Sequence, residues 1–339
     1  MWVLFQKTFE TFVDLMNREV APITEARFTR LDDMIQTLET ARPGRLREIV
    51  RRALSMANPQ EIPFNEEGDF IVSFFGFVES NRRTPKQGRQ WVNDVLFDLK
   101  MSDELMSPLR TFVTDKEFVK LYVRSILGEE YNVPTELIVS NVSDVDAAVF
   151  PINCVIKPTH MSAQVIIRKD GSPVDRDLMR AWFKSNYYRK TRERNYRYLA
   201  PKLIVEPILF GGREVVDYKF FCVEGKAKAF IVQQDTVSHD SIKRQLYTRQ
   251  GMPLPYGWGF PLPDQPLGPP RNMADMIEVA EQLSRRIGFV RVDLYSDGSQ
   301  CFVGEITNCQ GGANRPFSSL SSEVEFSRLL FSKSDQVAA

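Results

Sequence analysis

The sequence predicts an α+β protein. A mainly helical region over residues 1–110 precedes a domain over 111–330 built on a largely antiparallel sheet, and a short tail occupies 331–339. Three observations carry this. Apolar residues recur at helical spacing in the first region. Short β-branched runs broken by turn signals begin near residue 111. Two alternating strands bracket Asp297-Gly298, which reads as a hairpin.

Composition bounds the function. A chain of 339 residues has room for two or three packed units, and 43% hydrophobic residues suffice for a core. Lys plus Arg total 44 and Asp plus Glu total 44, with 15 basic and 17 acidic side chains in 1–110. Neither part holds the basic surplus of an electrostatic nucleic-acid binder, so no nucleic-acid partner is expected. Four cysteines with no Cys-x-x-Cys pair exclude a disulfide scaffold and a zinc ribbon. The opening Met1-Trp-Val-Leu-Phe5 is short for a secretory segment, and the apolar run from Phe70 to Val78 is too short to span a bilayer. The expectation is a cytoplasmic protein with no transmembrane segment. The sequence sets no oligomeric state.

The elements follow in order. After the Pro43-Gly44 break, Leu46, Ile49, Val50, Ala53, Leu54 and Ala57 form a helical stripe. Arg82-Arg83-Thr84-Pro85-Lys86 reads as a basic surface turn. Gln87 to Lys100 is expected to be a helix with Trp91, Val92, Val95, Leu96 and Leu99 on its apolar side. Strands are expected at 137–139, 154–157, 165–168, 203–205, 215–221, 229–233, 289–295 and 301–307. Two helices interrupt them, near 115–127 and 274–286. Met273, Met276, Ile277, Ala280 and Leu283 line the second, and Gly288 is placed to end it. Residues 251–270 hold seven prolines and four glycines around Tyr256, Trp258 and Phe260. Two readings stay open: a lid or binding loop whose aromatics stack on a ligand, or a strap whose aromatics lie on the body.

The chemistry is not in the common motifs. No phosphate-binding G-x-x-x-x-G-K-[ST], G-x-G-x-x-G, H-E-x-x-H or G-x-S-x-G occurs, and His160 and His239 are the only histidines. The informative stretch is the hairpin. Phe289, Arg291, Asp293 and Tyr295 share one face of its first strand, while Val290, Val292 and Leu294 share the core face. On the second strand Cys301, Val303, Glu305 and Thr307 are expected on one face. Charges placed mid-strand need a partner. Mg²⁺ suits two carboxylates, since it takes hard oxygens and shares them with phosphates. Register decides whether the carboxylates meet. A two-residue turn at Asp297-Gly298 separates Asp293 from Glu305. An odd loop with Gly298 left-handed pairs Arg291 with Glu305 and Asp293 with Val303, and is the expectation. The alternative is a structural Arg291–Glu305 ion pair. Elsewhere Lys157 ends the strand Val155-Ile-Lys-Pro158, Glu206 ends Leu203-Ile-Val-Glu-Pro207, and Asp217 and Lys219 share a face of Val215–Phe221.

The ordered set Asp115-Lys116, Val155-Ile-Lys-Pro-Thr-His160, Ile204-Val-Glu-Pro207, Asp217-Tyr-Lys-Phe220, Arg291-Val-Asp-Leu-Tyr295 and Gly304-Glu-Ile-Thr307 resembles the ATP-grasp superfamily. Within it the set resembles the TupA-like group linked to cell-surface polysaccharide synthesis, over roughly residues 110–325. The resemblance implies two α+β lobes, near 111–202 and 203–330, with ATP between them. It implies that Lys116 and Lys157, with Ser162 in the loop Thr159–Gln164, hold phosphates, and that Glu206 lies near the adenine or ribose. Asp293 and Glu305 would hold Mg²⁺. Arg291 would stabilise the transferring phosphoryl group, with Lys219 and Asp217 lining the cleft. The sequence departs from the family in two places. The usual Glu-x-Asn pair is displaced, so Asn308 or Thr307 completes the metal set, and the phosphate loop has no glycine. The implied activity is an ATP- and Mg²⁺-dependent carboxylate–amine ligase using an acylphosphate, with a small-molecule or glycan acceptor and an amino acid or amine as one partner. Phosphotransfer to a sugar hydroxyl, or an inactive binding module, would use the same cleft.

Overall fold

The structure, a computed structural model, describes residues 62–212, 215–233, 242–266 and 268–332. The expected helix at 46–57 and His239 lie outside the described residues. The described chain forms two units. One holds 62–89, Asn93–Met101 and Gly311–Pro316; the other holds Gln90–Val92, Ser102–Gln310 and the residues from Phe317.

In the first unit, α1 (Glu66–Asn81) starts where the Asn65 side chain accepts the Gly68 N–H at 2.9 Å. Its Phe74, Phe75, Phe77 and Val78 are buried. Phe77 meets Phe97 of α2 (Val92–Met101) edge-on, with centroids 5.4 Å apart. This second helix begins at Val92 and not at the expected Gln87, because Gly88 is left-handed (φ 73°). The basic turn folds onto buried Asp94, which takes Arg83 at 2.6 Å, Arg89 at 2.9 Å and the Lys86 N–H at 2.6 Å. Those arginines are therefore committed to local structure.

The second unit opens with α3 (Pro108–Thr114) and α4 (Phe118–Ile126). The helix expected near 115–127 is α4, and α3 was not foreseen. Asp115 separates the two, because its carboxylate accepts the N–H groups of Glu117 (2.8 Å) and Phe118 (3.3 Å) and so caps the second helix. Lys116 sits in the break.

Strands β1 (Leu137–Val139), β2 (Cys154–Pro158), β3 (Ile166–Arg168) and β4 (Leu203–Pro207) form an antiparallel sheet in the order β1-β4-β2-β3. Strand β4 is hydrogen-bonded between β1 and β2 and so lies inside this sheet. One face (Cys154, Ile156, Leu203, Val205) packs on Met179 and Trp182 of α5 (Arg176–Lys184). That helix and the short α6 (Tyr187–Thr191) were not foreseen, although their caps, Asp175 and Asn186, are ordinary start signals.

Strands β5 (Val216–Val223), β6 (Lys226–Gln233), β7 (Arg244–Thr248), β8 (Phe289–Ser296) and β9 (Cys301–Thr307) form the second antiparallel sheet, ordered β7-β6-β5-β8-β9. Edge strand β7 has no β-branched run and was missed. Tyr218, Phe220, Val290, Val292 and Leu294 cover one face together with Met276, Val279, Ala280 and Leu283 of α7 (Met273–Ser284). Gly288 does not cap that helix, which ends at Ser284; its carbonyl accepts the Glu224 N–H at 2.7 Å. A further unforeseen helix, α8 (Leu320–Phe331), starts on Ser319, whose side chain accepts the Ser322 N–H.

The segment 251–270 is a strap. Trp258 is 2% exposed, stacks on Phe317 at 4.9 Å, and lies 5.2 Å from Phe221 and 5.7 Å from Phe326. Tyr256 is buried as well. Neither ring is open to stack on a ligand.

Candidate functional site

The site is written in the register of the second sheet. Across β5, β8 and β9, Lys219 faces Asp293 and Asp293 faces Glu305. The adjoining row is Phe221, Arg291 and Thr307, and on the other side Asp217 faces Tyr295 and Tyr295 faces Phe302. Neither expected register is present. The turn leaves 297–300 unpaired, and Ser296 pairs with Cys301 and Leu294 with Val303. The ladder then slips at Gly304, so that Asp293 pairs with Glu305 and Arg291 with Thr307. A bulge adds one residue to one strand and reverses which face the following side chains take. Cys301 and Val303 accordingly lie in the core, while Glu305 and Thr307 join Asp293 and Arg291. The bulge that unites the carboxylates thus sits at Gly304 and not at the turn. Glycine lets the ring lie close, since a Cβ there would be 2.7 Å from Cε2 of Tyr295 and would force the ring or the strand to shift.

Charges in this row are tightly paired. Arg291 donates from Nε to Asp293 Oδ1 at 2.5 Å, and from Nη2 to Asp293 Oδ2 (2.6 Å), Glu305 Oε1 (3.0 Å) and Thr307 Oγ1 (2.9 Å). Thr307 Oγ1 in turn donates to Glu305 Oε1 at 3.0 Å. Lys219 donates to Asp293 Oδ2 at 2.8 Å and also to Asp217. Burial disfavours the Asp293 charge, but Arg291 and Lys219 outweigh it and hold the carboxyl at about 2. Asp217 moves the other way: burial, aided by the Asp293 charge, raises it against the pull of Lys219.

The first sheet faces this row with a lysine cluster. Lys157 and Glu206 lie on the β2–β4 face opposite the lobe core. Glu206 is held by Lys157 at 2.7 Å and by Lys120 of α4 at 2.6 Å. Burial opposes the Glu206 charge, yet the two lysines lower its pKa. The Lys157 Nζ stands 5.7 Å from the centroid of the Tyr295 ring, joining the two sheets. Lys116 donates to the Met161 carbonyl in the loop after β2; burial lowers its pKa, with Glu305 resisting. Lys116, Lys120 and Lys157 against Glu206 leave an excess of positive charge beside the carboxylate row.

Of the residues singled out in the sequence, Arg291, Asp293, Glu305, Lys219 and Asp217 come together on one face, and Lys116, Lys157 and Glu206 come together opposite them. Ser162 lies in the loop between β2 and β3. Asn308 does not join either group. Its Nδ2 donates to the Arg110 carbonyl (3.1 Å) and to Thr114 Oγ1 (3.0 Å), and its Oδ1 accepts from Arg110 Nη1 (3.0 Å). The amide pins α3 to the end of β9, while Thr307 faces the carboxylates. Sequence reasoning missed Lys120; its one signal was helical spacing, four positions after Lys116. His160 has a structural contact, with Nε2 3.1 Å from the Trp182 carbonyl.

Among the described residues, no group of three or more His, Cys, Asp or Glu is arranged to hold a metal ion. A pair is enough for Mg²⁺, which takes one or two carboxylates and completes its shell with water and phosphate. The row supplies hard oxygens on adjacent strands, and Asp217 Oδ1 beside it is buried without a hydrogen-bond partner. This donor set fits Mg²⁺.

Among the described residues, no helix is long and apolar enough to cross a membrane. No curated protein matches the chain. Among solved structures, the D-alanine–D-alanine ligase of Helicobacter pylori is 14% identical, with a TM-score of 0.35, over 60% of this chain and 53% of that one. D-cycloserine synthetase DcsG is 17% identical, with a TM-score of 0.36, over 66% and 70%. ATP-grasp ligase PsnB, complexed with a minimal precursor, is 13% identical, with a TM-score of 0.32, over 60% and 54%. The chain spans about half the length of the H. pylori ligase and of PsnB. The family described as TupA-like ATPgrasp matches residues 99–327, which takes in both sheets and every charged residue of the rows above. That extent settles the affiliation: the chain belongs to the TupA-like ATP-grasp family.

Proposed function

We propose that the protein is an ATP- and Mg²⁺-dependent carboxylate–amine ligase that joins an amino acid or amine to a sugar acid in cell-surface polysaccharide synthesis. The observation that carries this reading is the direct Asp293–Glu305 pairing beside Arg291, opposite the lysine cluster. Family membership supports ATP as the phosphoryl donor, and that use of ATP would put the reaction in the cytoplasm. A carboxylate is a poor acylating agent at neutral pH. Its oxygen attacks the γ-phosphorus of ATP, the bond to ADP breaks, and an acylphosphate forms. An amine then attacks the acyl carbon, phosphate leaves, and the nitrogen loses a proton.

The protein's part is to position reactants and neutralise charge. Lys116 and Lys157 bind triphosphate oxygens, and Lys120 holds Glu206 so that Lys157 keeps its place. Arg291, anchored on Asp293, presents its guanidinium to the transferring group. Asp293 and Glu305 would hold Mg²⁺, which supplies charge neutralisation at the phosphates. Lys219 keeps Asp217 and Asp293 together in one row.

Thermal shift with ATP and Mg²⁺ tests the site. Ligand at ~100 times its Kd stabilises by about 2.7 kcal/mol. No shift in the wild type, or a shift that survives Asp293→Asn with Glu305→Gln, would overturn the reading. Product analysis separates amide plus free phosphate from a phosphorylated sugar, the outcome of the phosphotransferase alternative.

A further inference from the structure

The loop Thr159–Gln164 joins β2 to β3 and touches Lys116. It has no glycine, yet Ala163 takes a left-handed backbone (φ 57°). That conformation costs free energy in a residue with a Cβ, so surrounding contacts must hold it.

The holding contacts converge on one core residue. Trp182 is 2% exposed and packs in the core of the first sheet. Its indole Nε1 donates to Gln164 Oε1 at 3.0 Å, and Gln164 Nε2 donates to the Ala163 carbonyl at 3.0 Å. These two contacts orient the amide, because an indole N–H can only donate and a carbonyl can only accept. Near the start of the loop, His160 Nε2 donates to the Trp182 carbonyl at 3.1 Å. Thr159 is fixed by its N–H on the Lys202 carbonyl (2.9 Å) and by its Oγ1 on Asp115 (3.2 Å). Residues 160 and 164 thus grip the same tryptophan. Lifting the loop would leave the buried indole N–H without its acceptor, which is costly.

The residues between these anchors are open. Ser162 is half-buried and Ala163 is exposed. The N–H groups of both have no backbone acceptor among the described residues. The Met161 carbonyl receives Lys116 Nζ, which leaves that ammonium two further donors. Backbone N–H groups beside a lysine suit an anion with several acceptor oxygens.

We propose that His160 and Gln164 clasp Trp182 and so hold this loop, before any nucleotide arrives, as a rigid seat for the nucleotide's terminal phosphates. Both are positioning residues, and the assignment rests on the ligase reading above. A glycine-rich loop would be mobile and would have to order on binding. Here a side-chain clasp has already met that cost.

Two measurements on the full chain test this. The first is backbone ¹⁵N relaxation without nucleotide. Ser162 and Ala163 should show order parameters of rigid backbone, about 0.85, falling below about 0.6 in Gln164→Ala. The second is calorimetric titration with ATP and Mg²⁺, and with AMP, which has no terminal phosphates. Gln164→Ala should weaken ATP about tenfold and leave AMP unchanged. Trp182→Phe keeps a ring and removes the N–H, so it should weaken ATP likewise and add little to Gln164→Ala. Gln164 is half-buried, so its variant keeps the test valid if Trp182→Phe fails to fold. Low order parameters in the wild type, equal losses of ATP and AMP, or fully additive losses in the double variant overturn the clasp. ATP binding that Gln164→Ala leaves intact overturns the clasp alone. No ATP binding by the wild type overturns the ligase reading and the seat with it.

Discussion

Asp293 and Glu305 are direct cross-strand partners because β9 slips by one residue at Gly304, under the ring of Tyr295. Without the slip, Val292 would face Glu305 and the carboxylate would point into the core. Tyr295 in turn carries Lys157 over its ring, so one small residue sets the carboxylate row and steadies the lysine opposite.

Gly304→Ala should therefore damage binding and stability together. The added Cβ would lie 2.7 Å from Tyr295 Cε2, so the ring or the strand must move. Overpacking of this kind costs about 1–3 kcal/mol. Thermal unfolding should show the loss, and Tyr295→Ala in the same chain should restore part of it. An unchanged midpoint and an intact ATP–Mg²⁺ shift would refute the argument.

Asp293→Asn should cost more stability than Glu305→Gln. Asp293 is 2% exposed and is the counter-charge of both Arg291 and Lys219. Breaking such a buried pair costs about 3–5 kcal/mol, whereas the Glu305 side chain is 31% exposed. The pH dependence has a defined sign. Asp293 is depressed in the folded protein, so its contribution is present above 3.8 and is lost as pH falls from there to about 2. Urea unfolding across that acid range should show the decline in the wild type and a shallower one in Asp293→Asn.

Asn308→Ala and Thr307→Val should separate structure from ligand binding. Asn308 bridges Arg110 and Thr114, so its loss leaves a buried Arg110 N–H without that acceptor, at about 1–3 kcal/mol. The fraction that folds should keep its Mg²⁺-dependent nucleotide affinity. Thr307→Val removes the hydroxyl that bonds to both Arg291 and Glu305, leaving their direct contact, and should weaken that affinity with little change in unfolding. The reverse pattern would make Asn308 the metal ligand.

Nucleotide affinity should fall as pH rises from neutral into the alkaline range. Burial is the largest influence on Lys116 and Lys120 and lowers both from the ordinary 10.5. They therefore lose charge earlier than a free lysine, and a bound triphosphate would raise them again. Calorimetry in buffers of different ionisation enthalpy should detect proton uptake on binding in that range. Its absence in wild type would show that Lys116 does not meet the phosphates.

Much of this was legible locally. The strands at 154–158, 203–207 and 289–296 are alternating runs whose period identifies the charged face, and order along the chain pointed to the family. Elements whose signal was a cap were underread: Asp175 and Ser319 start α5 and α8.

Alternation along each strand determined which side chains can share a face, because successive residues of an extended chain must point to opposite sides. It could not determine which faces meet. That depends on how strands slide past one another, and the slide was decided at Gly304 by the space under Tyr295, a contact between residues nine positions apart. The fate of Trp258, Asn308 and Asn195 was decided in the same way. Each is a polar or aromatic residue able to serve a ligand, and only the packed neighbours Phe317, Arg110 and Thr114 show what each one is engaged with.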